Sequence, residues 1–255
     1  MLKTLRLSVL ALALFVLPVI FSGAAYPAEI TVSAAASLNN AFTELKGAFE
    51  AKNSGTTVVT NFASSNNLLK QIETGAPVDV FASADQATMN TAEQGGFIDK
   101  STRKNFALNG LVLIAPAGES KSLSKAADLV KPEYARIAVG NPASVPAGRY
   151  AQEVLELQNL WTPLKDRLIF GENVRQVLDY VSRGEVQAGF VYSTDAKQAG
   201  DQVRVVETMQ GKTPVLYPIA ALSASKNKAA AQAFVDFANS AEGQAILAKY
   251  GFMAP

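Results

Sequence analysis

Ala34-Ala35-Ala36-Ser37-Leu38 follows directly on a short run, Glu29–Ser33, that reads as a β-strand. It leads at once into a helical pattern, with Leu38, Ala41, Phe42, Leu45, Ala48 and Phe49 on one face. A serine at a strand-to-helix corner aims backbone N–H groups and a hydroxyl at one point. The first N–H groups of a helix have no internal partner, and the helix dipole favours negative charge there. Similar corners recur at Phe62-Ala63-Ser64-Ser65, at Val145-Pro146-Ala147-Gly148 and at Glu172-Asn173-Val174. The chain has no histidine and no cysteine. Repeated anion-binding corners without those side chains point to a binder of a small oxyanion rather than an enzyme.

Working outward, strand and helix patterns alternate. Thr56–Phe62 reads as a strand, Asn66–Thr74 as a helix ended by Gly75, and Val78–Ala82 as a strand. Asp85 opens a helix that Gly95 and Gly96 close. In the second half, Leu111–Ala115, Ile137–Val139 and Gln187–Val191 read as strands. Tyr150–Leu157, Val174–Ser182, the Asp195 region, Asn227–Asn239 and Glu242–Tyr250 read as helices. Such alternation implies an α/β fold of mainly parallel sheets covered on both faces. There is no internal repeat and no Pro/Gly-rich linker, so the chain is expected to cross between two domains as strands, near Leu108–Leu111 and Val215–Ala220.

The N-terminus reads as an export signal. Lys3 and Arg6 precede a 14-residue run, Leu7–Ile20, broken only by Ser8 and Pro18, and small residues follow at Ser22, Gly23, Ala24 and Ala25. The run is too short for a stable membrane span. Cleavage after Ala25 fits the small residues Gly23 and Ala25, whereas cleavage after Ala28 would use bulky Tyr26. No cysteine is present to carry a lipid, and none to form disulfides. The expected home is the periplasm. The remaining chain, about 230 residues, can bury a core without such staples. The whole chain carries 23 basic and 22 acidic residues, and without Lys3 and Arg6 the acidic ones exceed the basic by one. That balance argues against a nucleic-acid partner or an anionic membrane surface, which demand concentrated positive charge.

Each corner also has an ordinary explanation. Ser37 is read as a helix cap, and most such caps serve only their own helix. Ser64-Ser65 is a common cap and turn pair. Ala147 lies in a loop entering a helix, where Pro146 fixes one dihedral and Gly148 tolerates close backbone approach. Val174 by itself reads as core, and Tyr192 as a tyrosine at a domain edge. Two serine corners after successive strands would nevertheless share the carboxyl edge of one sheet, where open α/β sheets bind ligands.

Taken together, the ordered segments resemble the periplasmic molybdate-binding proteins of ATP-binding-cassette importers. They are Ala34–Leu38, Phe62–Ser65, Gly75-Ala76-Pro77 with Asp79, Ser83–Gln86, Val145–Gly148, Asn173–Arg175, Gly189–Tyr192 and Tyr250–Phe252. The resemblance implies a two-domain periplasmic-binding-protein fold, each domain a mainly parallel sheet flanked by helices, with molybdate or tungstate in the cleft. The implied division is a signal peptide over 1–25, domain I over 26–108 and 217–255, and domain II over 109–216. The implied ligand residues are Ser37, Ser65, Ala147, Val174 and Tyr192, with molybdenum held only as the oxyanion. Asp85 matches a shared segment but is read as a cap. No cofactor is expected, and the implied partner is the membrane permease of a molybdate importer, served by a monomer. Arg149 and Arg175 lie within two residues of implied ligands, yet both are expected on helix flanks, away from the anion.

Two other functions remain open from the residues. One is binding of another oxyanion, such as sulfate, phosphate or an organic carboxylate. The other is an exported serine hydrolase, since Ser122-Leu123-Ser124-Lys125 has Ser-x-x-Lys spacing. Against that, Lys212-Thr213 is followed by Pro214, and there is no histidine base.

Overall fold

A computed structural model describes residues 28–118 and 122–255. The signal segment, residues 1–25, lies outside the described residues. The first sheet begins with β1 (Ala28–Ala35), followed by α1 (Asn39–Lys52), β2 (Thr56–Ala63), α2 (Ser65–Glu73), β3 (Val80–Ala82), α3 (Gln86–Gln94) and β4 (Lys104–Asn109). The chain then enters a second sheet at β5 (Leu111–Pro116), with β6 (Ile137–Gly140), α4 (Pro146–Leu157), α5 (Trp161–Leu164), β7 (Leu168–Gly171), α6 (Val174–Ser182), β8 (Ala188–Tyr192), α7 (Ser193–Ala199) and β9 (Val203–Met209). It returns to the first sheet with β10 (Val215–Ala221) and ends in α8 (Lys228–Ala238) and α9 (Ala241–Lys249).

The two sheets have one design. Strand order is β2-β1-β3-β10-β4 in the first and β7-β6-β8-β5-β9 in the second. In each, three strands pair in parallel and a single strand runs against the rest: β10 in the first, β5 in the second. Each reversed strand sits next to a crossing. The first crossing is the single residue Gly110 between β4 and β5, and the second is the segment 210–214 between β9 and β10. Asn109 pairs with Val215 in the first sheet, and Leu111 pairs with Met209 in the second. The crossings are therefore two strand-to-strand passages lying side by side. This is the two-domain α/β architecture, with each sheet covered by helices.

The inner parallel strands β3, β6 and β8 are buried throughout and read as apolar runs, as helix-covered sheets require, whereas the edge strands β2 and β7 are partly exposed. Phe42, Phe49, Phe106 and Phe234 pack edge-on to one another under the first sheet, with ring centroids 5.2–6.0 Å apart. Three strands have no counterpart in the sequence expectations: β4, β7 and β9. Charged residues at or near their starts interrupt the pattern: Lys104 exposed at the start of β4, and Arg167 and Arg204, half-buried and donating to backbone carbonyls, just before β7 and within β9. Two helix starts also differ. A 3-10 turn, Ala36–Leu38, precedes α1, and α4 begins at Pro146, four residues before the expected Tyr150. Proline is favoured in a helix's first turn because its missing N–H is not needed there.

Candidate functional site

The carboxyl ends of the parallel strands of both sheets point at one another. β1 delivers Ser37, β2 delivers Ser65, β6 leads to Ala147, β7 to Val174, and β8 ends on Tyr192. All five are buried, and they line one small cavity with Ala35, Ala36, Ser64, Ala84, Val145, Pro146 and Asn173. The cavity measures about 10 Å³, room for one small species and not for a sugar or an amino acid.

The local folding explains why donors face inward. Asn173 caps α6, and its Oδ1 accepts from the N–H groups of Arg175 and Gln176, each at 3.0 Å. That leaves the N–H of Val174, the first helical residue, without a partner inside the helix. Ala147 is the second residue of α4 and is in the same position. Helix α4 comes very close to β6: a Cβ on Gly148 would lie 1.9 Å from the Gly140 carbonyl oxygen, so only glycine fits. Ser65 is the first residue of α2. Its Oγ accepts the Ala84 N–H at 3.0 Å, which leaves its own proton free to be given away.

Ser37 is not the helix cap that its sequence setting predicts. It lies within the 3-10 turn, where the capping position is taken by Ala35 and no side chain caps the turn. Its hydroxyl is instead 3.0 Å from the Tyr217 hydroxyl. The physical reason is competition: a buried phenol from β10 offers a better partner than the turn's own N–H groups. Ser64, not Ser65, holds the cap position of α2, and the Ser64 hydroxyl is buried without a protein partner. Asp85 caps α3 as expected, accepting the Thr88 N–H at 3.1 Å.

Tyr192 is fully enclosed rather than at a wet domain edge, and its hydroxyl has no protein partner. Its ring packs edge-on against Tyr217 and Tyr150, with centroids 5.7 and 6.4 Å away. Burial, with smaller contributions from neighbouring tyrosines and acids, pushes the Tyr192 phenol well above its ordinary range, so it keeps its proton and remains a donor. The cavity therefore presents five convergent donor positions and no charged side chain.

Both nearby arginines are occupied elsewhere, in a role the sequence does not announce. Arg149, on α4, reaches across the cleft to Asp85, Asn66 and Thr88 of the first lobe. Arg175, on α6, pairs with Asp195 at 2.6 Å and also crosses to Asn40 Oδ1 at 2.8 Å and the Ser37 carbonyl at 3.2 Å. Rather than resting on helix flanks, the two cations tie the lobes together on either side of the cavity. Asn66 adds a third tie, donating to the Ala143 carbonyl at 2.9 Å.

A larger hollow opens at the opposite edge of the first sheet. Its buried carboxylate, Asp79, is already bonded by the Thr31 N–H at 2.8 Å and the Ser225 hydroxyl at 2.5 Å. No group of acidic, histidine or cysteine side chains suited to a metal ion occurs among the described residues. In the Ser-x-x-Lys segment, Ser122 Oγ lies 2.7 Å from the Tyr134 hydroxyl, and Lys125 is exposed.

Comparisons with known proteins agree with this architecture. Residues 30–253 match the family described as bacterial extracellular solute-binding proteins. The molybdate-binding protein ModA of Haemophilus influenzae is 39% identical, over 98% of this chain and 99% of its own length. ModA of Escherichia coli is 40% identical over 88% of each chain. The solved periplasmic molybdate-binding protein of Azotobacter vinelandii superposes with a TM-score of 0.78 at 24% identity, covering 89% of this chain and 99% of that one, a likeness of fold. The chain belongs to the family of bacterial extracellular solute-binding proteins, as a member of its ModA branch.

Proposed function

We propose that this protein captures molybdate, and tungstate with it, in the periplasm and delivers the anion to the permease of an ATP-binding-cassette importer. The observation that carries this reading is the donor set. Ser37 and Ser65 would give N–H and hydroxyl, Ala147 and Val174 their N–H groups, and Tyr192 its hydroxyl. A tetrahedral dianion without a proton is all acceptor, and it complements a cavity whose five proposed contact positions can all donate and which holds no carboxylate. Hydrogen bonds to charged groups contribute roughly 1.5–3 kcal/mol each. Several of them, with the helix dipoles, offset the desolvation of the dianion. Molybdate and tungstate have longer metal–oxygen bonds than the S–O bonds of sulfate, so in a rigid cage the smaller anion cannot reach every donor.

The division of donors gives the mechanism. Ser37 and Ser65 belong to one lobe; Ala147, Val174 and Tyr192 belong to the other. The two moving bodies would be the first sheet with its helices, residues 28–109 and 215–255, and the second, residues 111–209, a division that moves Asn109, Val215 and Leu216 from the second body of the sequence expectation to the first. An anion that bonds to both favours the closed arrangement by its differential affinity for it. In this reading the protein is a monomeric carrier without a cofactor, not a catalyst.

Titration calorimetry and thermal melting with molybdate, tungstate, sulfate and phosphate test it. Binding to the folded state alone adds about 4 kcal/mol at a thousandfold excess over Kd. Molybdate and tungstate are expected to raise the melting temperature strongly, sulfate and phosphate little. Equal shifts from sulfate and molybdate would overturn the size argument, and no shift from molybdate would overturn the function.

A further inference from the structure

Behind Ser37, away from the cavity, lies a chain of polar groups whose protons can be assigned one by one. It starts at the first crossing. The Gly110 N–H lies 2.9 Å from Asn109 Oδ1. A backbone N–H only donates, so the amide atom facing it is the oxygen, and the amide nitrogen faces the other way. That nitrogen has two protons. One goes to Thr194 Oγ1 at 2.9 Å and the other to the Tyr217 hydroxyl at 3.2 Å. The Tyr217 hydroxyl therefore accepts from Asn109, and its single proton is left for Ser37 Oγ at 3.0 Å. Ser37 then accepts from Tyr217, so its own proton cannot point back and is directed into the cavity.

We propose that Asn109 and Tyr217 are positioning residues that commit the Ser37 hydroxyl to donation, and so set a preference for oxyanions that carry no proton over those that do. This rests on the reading of the cavity as an oxyanion site and names the residues that set its selectivity. Neither residue touches the cavity; they act through Ser37. A lone serine hydroxyl can turn to give or accept a hydrogen bond, and a site with such a serine would accommodate the proton of hydrogen phosphate or hydrogen arsenate. With its proton committed to the cavity and one lone pair taken by Tyr217, the Ser37 oxygen is a poorer acceptor for the proton of such an anion. The chain is dry throughout: Ser37, Asn109, Tyr217 and Thr194 are all buried. Tyr217 is also wedged by rings on three sides, with Phe252, Tyr192 and Phe106 at centroid distances of 5.5, 5.7 and 6.3 Å. Its hydroxyl has no freedom to swing to another partner.

Molybdate and hydrogen arsenate, tetrahedral anions that differ in the proton, are the probes. Their Kd values are measured by calorimetry at neutral pH for the wild type, Tyr217→Phe, Ser37→Ala and the double variant. Tyr217→Phe keeps the ring packing and removes only the relay. Its molybdate affinity is expected to fall by less than about tenfold, while the preference for molybdate over arsenate falls by about tenfold or more. In the Ser37→Ala background the same change is expected to leave that preference unaltered, because the group it acts on is gone. Asn109→Ala, which unpins Tyr217 without removing it, is expected to shift the preference in the same direction by a smaller factor. An unchanged preference in a folded Tyr217→Phe variant, or an equal change with Ser37 absent, would overturn the proposal. Wild type that ignores molybdate would instead overturn the function reading.

Discussion

Arg149 and Asp85 face each other across the cleft, with Arg149 Nε 3.0 Å and Nη2 2.5 Å from the same carboxylate oxygen. The other oxygen of Asp85 caps α3. The pair thus joins the first turn of a helix in one lobe to the cap of a helix in the other. Asp85 is almost fully buried and Arg149 about three-quarters buried, so the pair is only partly screened by solvent.

Arg149→Gln is accordingly expected to weaken closure without altering the anion's own contacts. The apparent affinity for molybdate should fall by about five- to thirtyfold, through a smaller closed population. The loss should shrink as salt is raised, because salt already weakens the partly exposed Arg149–Asp85 pair in the wild type. Titration at low and physiological ionic strength reads it. A loss beyond a hundredfold that salt does not change would mean that the guanidinium meets the anion directly.

Tyr192→Phe removes one donor and keeps the ring packed against Tyr150 and Tyr217. Affinity for molybdate is expected to drop by roughly ten- to a hundredfold, about 1.5–3 kcal/mol. An unchanged titration curve would place the hydroxyl outside the site.

Gly148→Ala tests how closely α4 must approach β6. The new methyl would overlap the Gly140 carbonyl, a backbone atom that cannot swing aside. Overpacking of this kind costs about 1–3 kcal/mol of stability. Because the displaced turn carries the Ala147 N–H, melting temperature and molybdate affinity should fall together. A variant as stable and as tight-binding as wild type would show that the contact relaxes freely.

Asp195 gives a pH signature. Burial raises its carboxyl to about 6, against pulls downward from Arg175 and the Tyr192 N–H. Between its ordinary value near 3.8 and about 6, the folded state holds a proton that the unfolded chain has lost. The group's contribution to stability is therefore largest below that window, declines as pH rises through it, and is level above it. Denaturant unfolding of wild type and Asp195→Asn across that range isolates the contribution. The wild type should lose stability relative to the variant as pH rises from about 4 to about 6, and a flat difference would count against a raised carboxyl.

Much of this molecule was legible from local pattern. The strands that carry the site are legible from apolar runs in β6 and β8, from alternation in β1 and from Val and Thr enrichment in β2, and their corner residues stand in sequence beside the helices they open. The five implied ligands could be named because each is local to one corner and the resemblance covers the whole set; the structure brings those five around one cavity. What was not legible is pairing over long sequence distance. Tyr217 meets Ser37 across 180 residues, and Arg149 meets Asp85 across 64. Nothing in the neighbourhood of either residue signals its partner. The strand β4, which ends on Asn109, was likewise hidden, because its exposed edge carries lysine and asparagine instead of a repeating apolar face.

Two of the five proposed donor positions, Ala147 and Val174, offer only peptide N–H groups, and this shapes how the gene can vary. Replacing either side chain leaves the amide in place, so a side-chain scan is blind to that part of the site. Such positions can drift among residues that fit the space while the donor persists. Loss of the amide needs a proline or a shift of the whole helix. Damage to this part of the site will therefore surface at residues such as Gly148 and Asn173, which hold the helix ends in place and need never meet the anion.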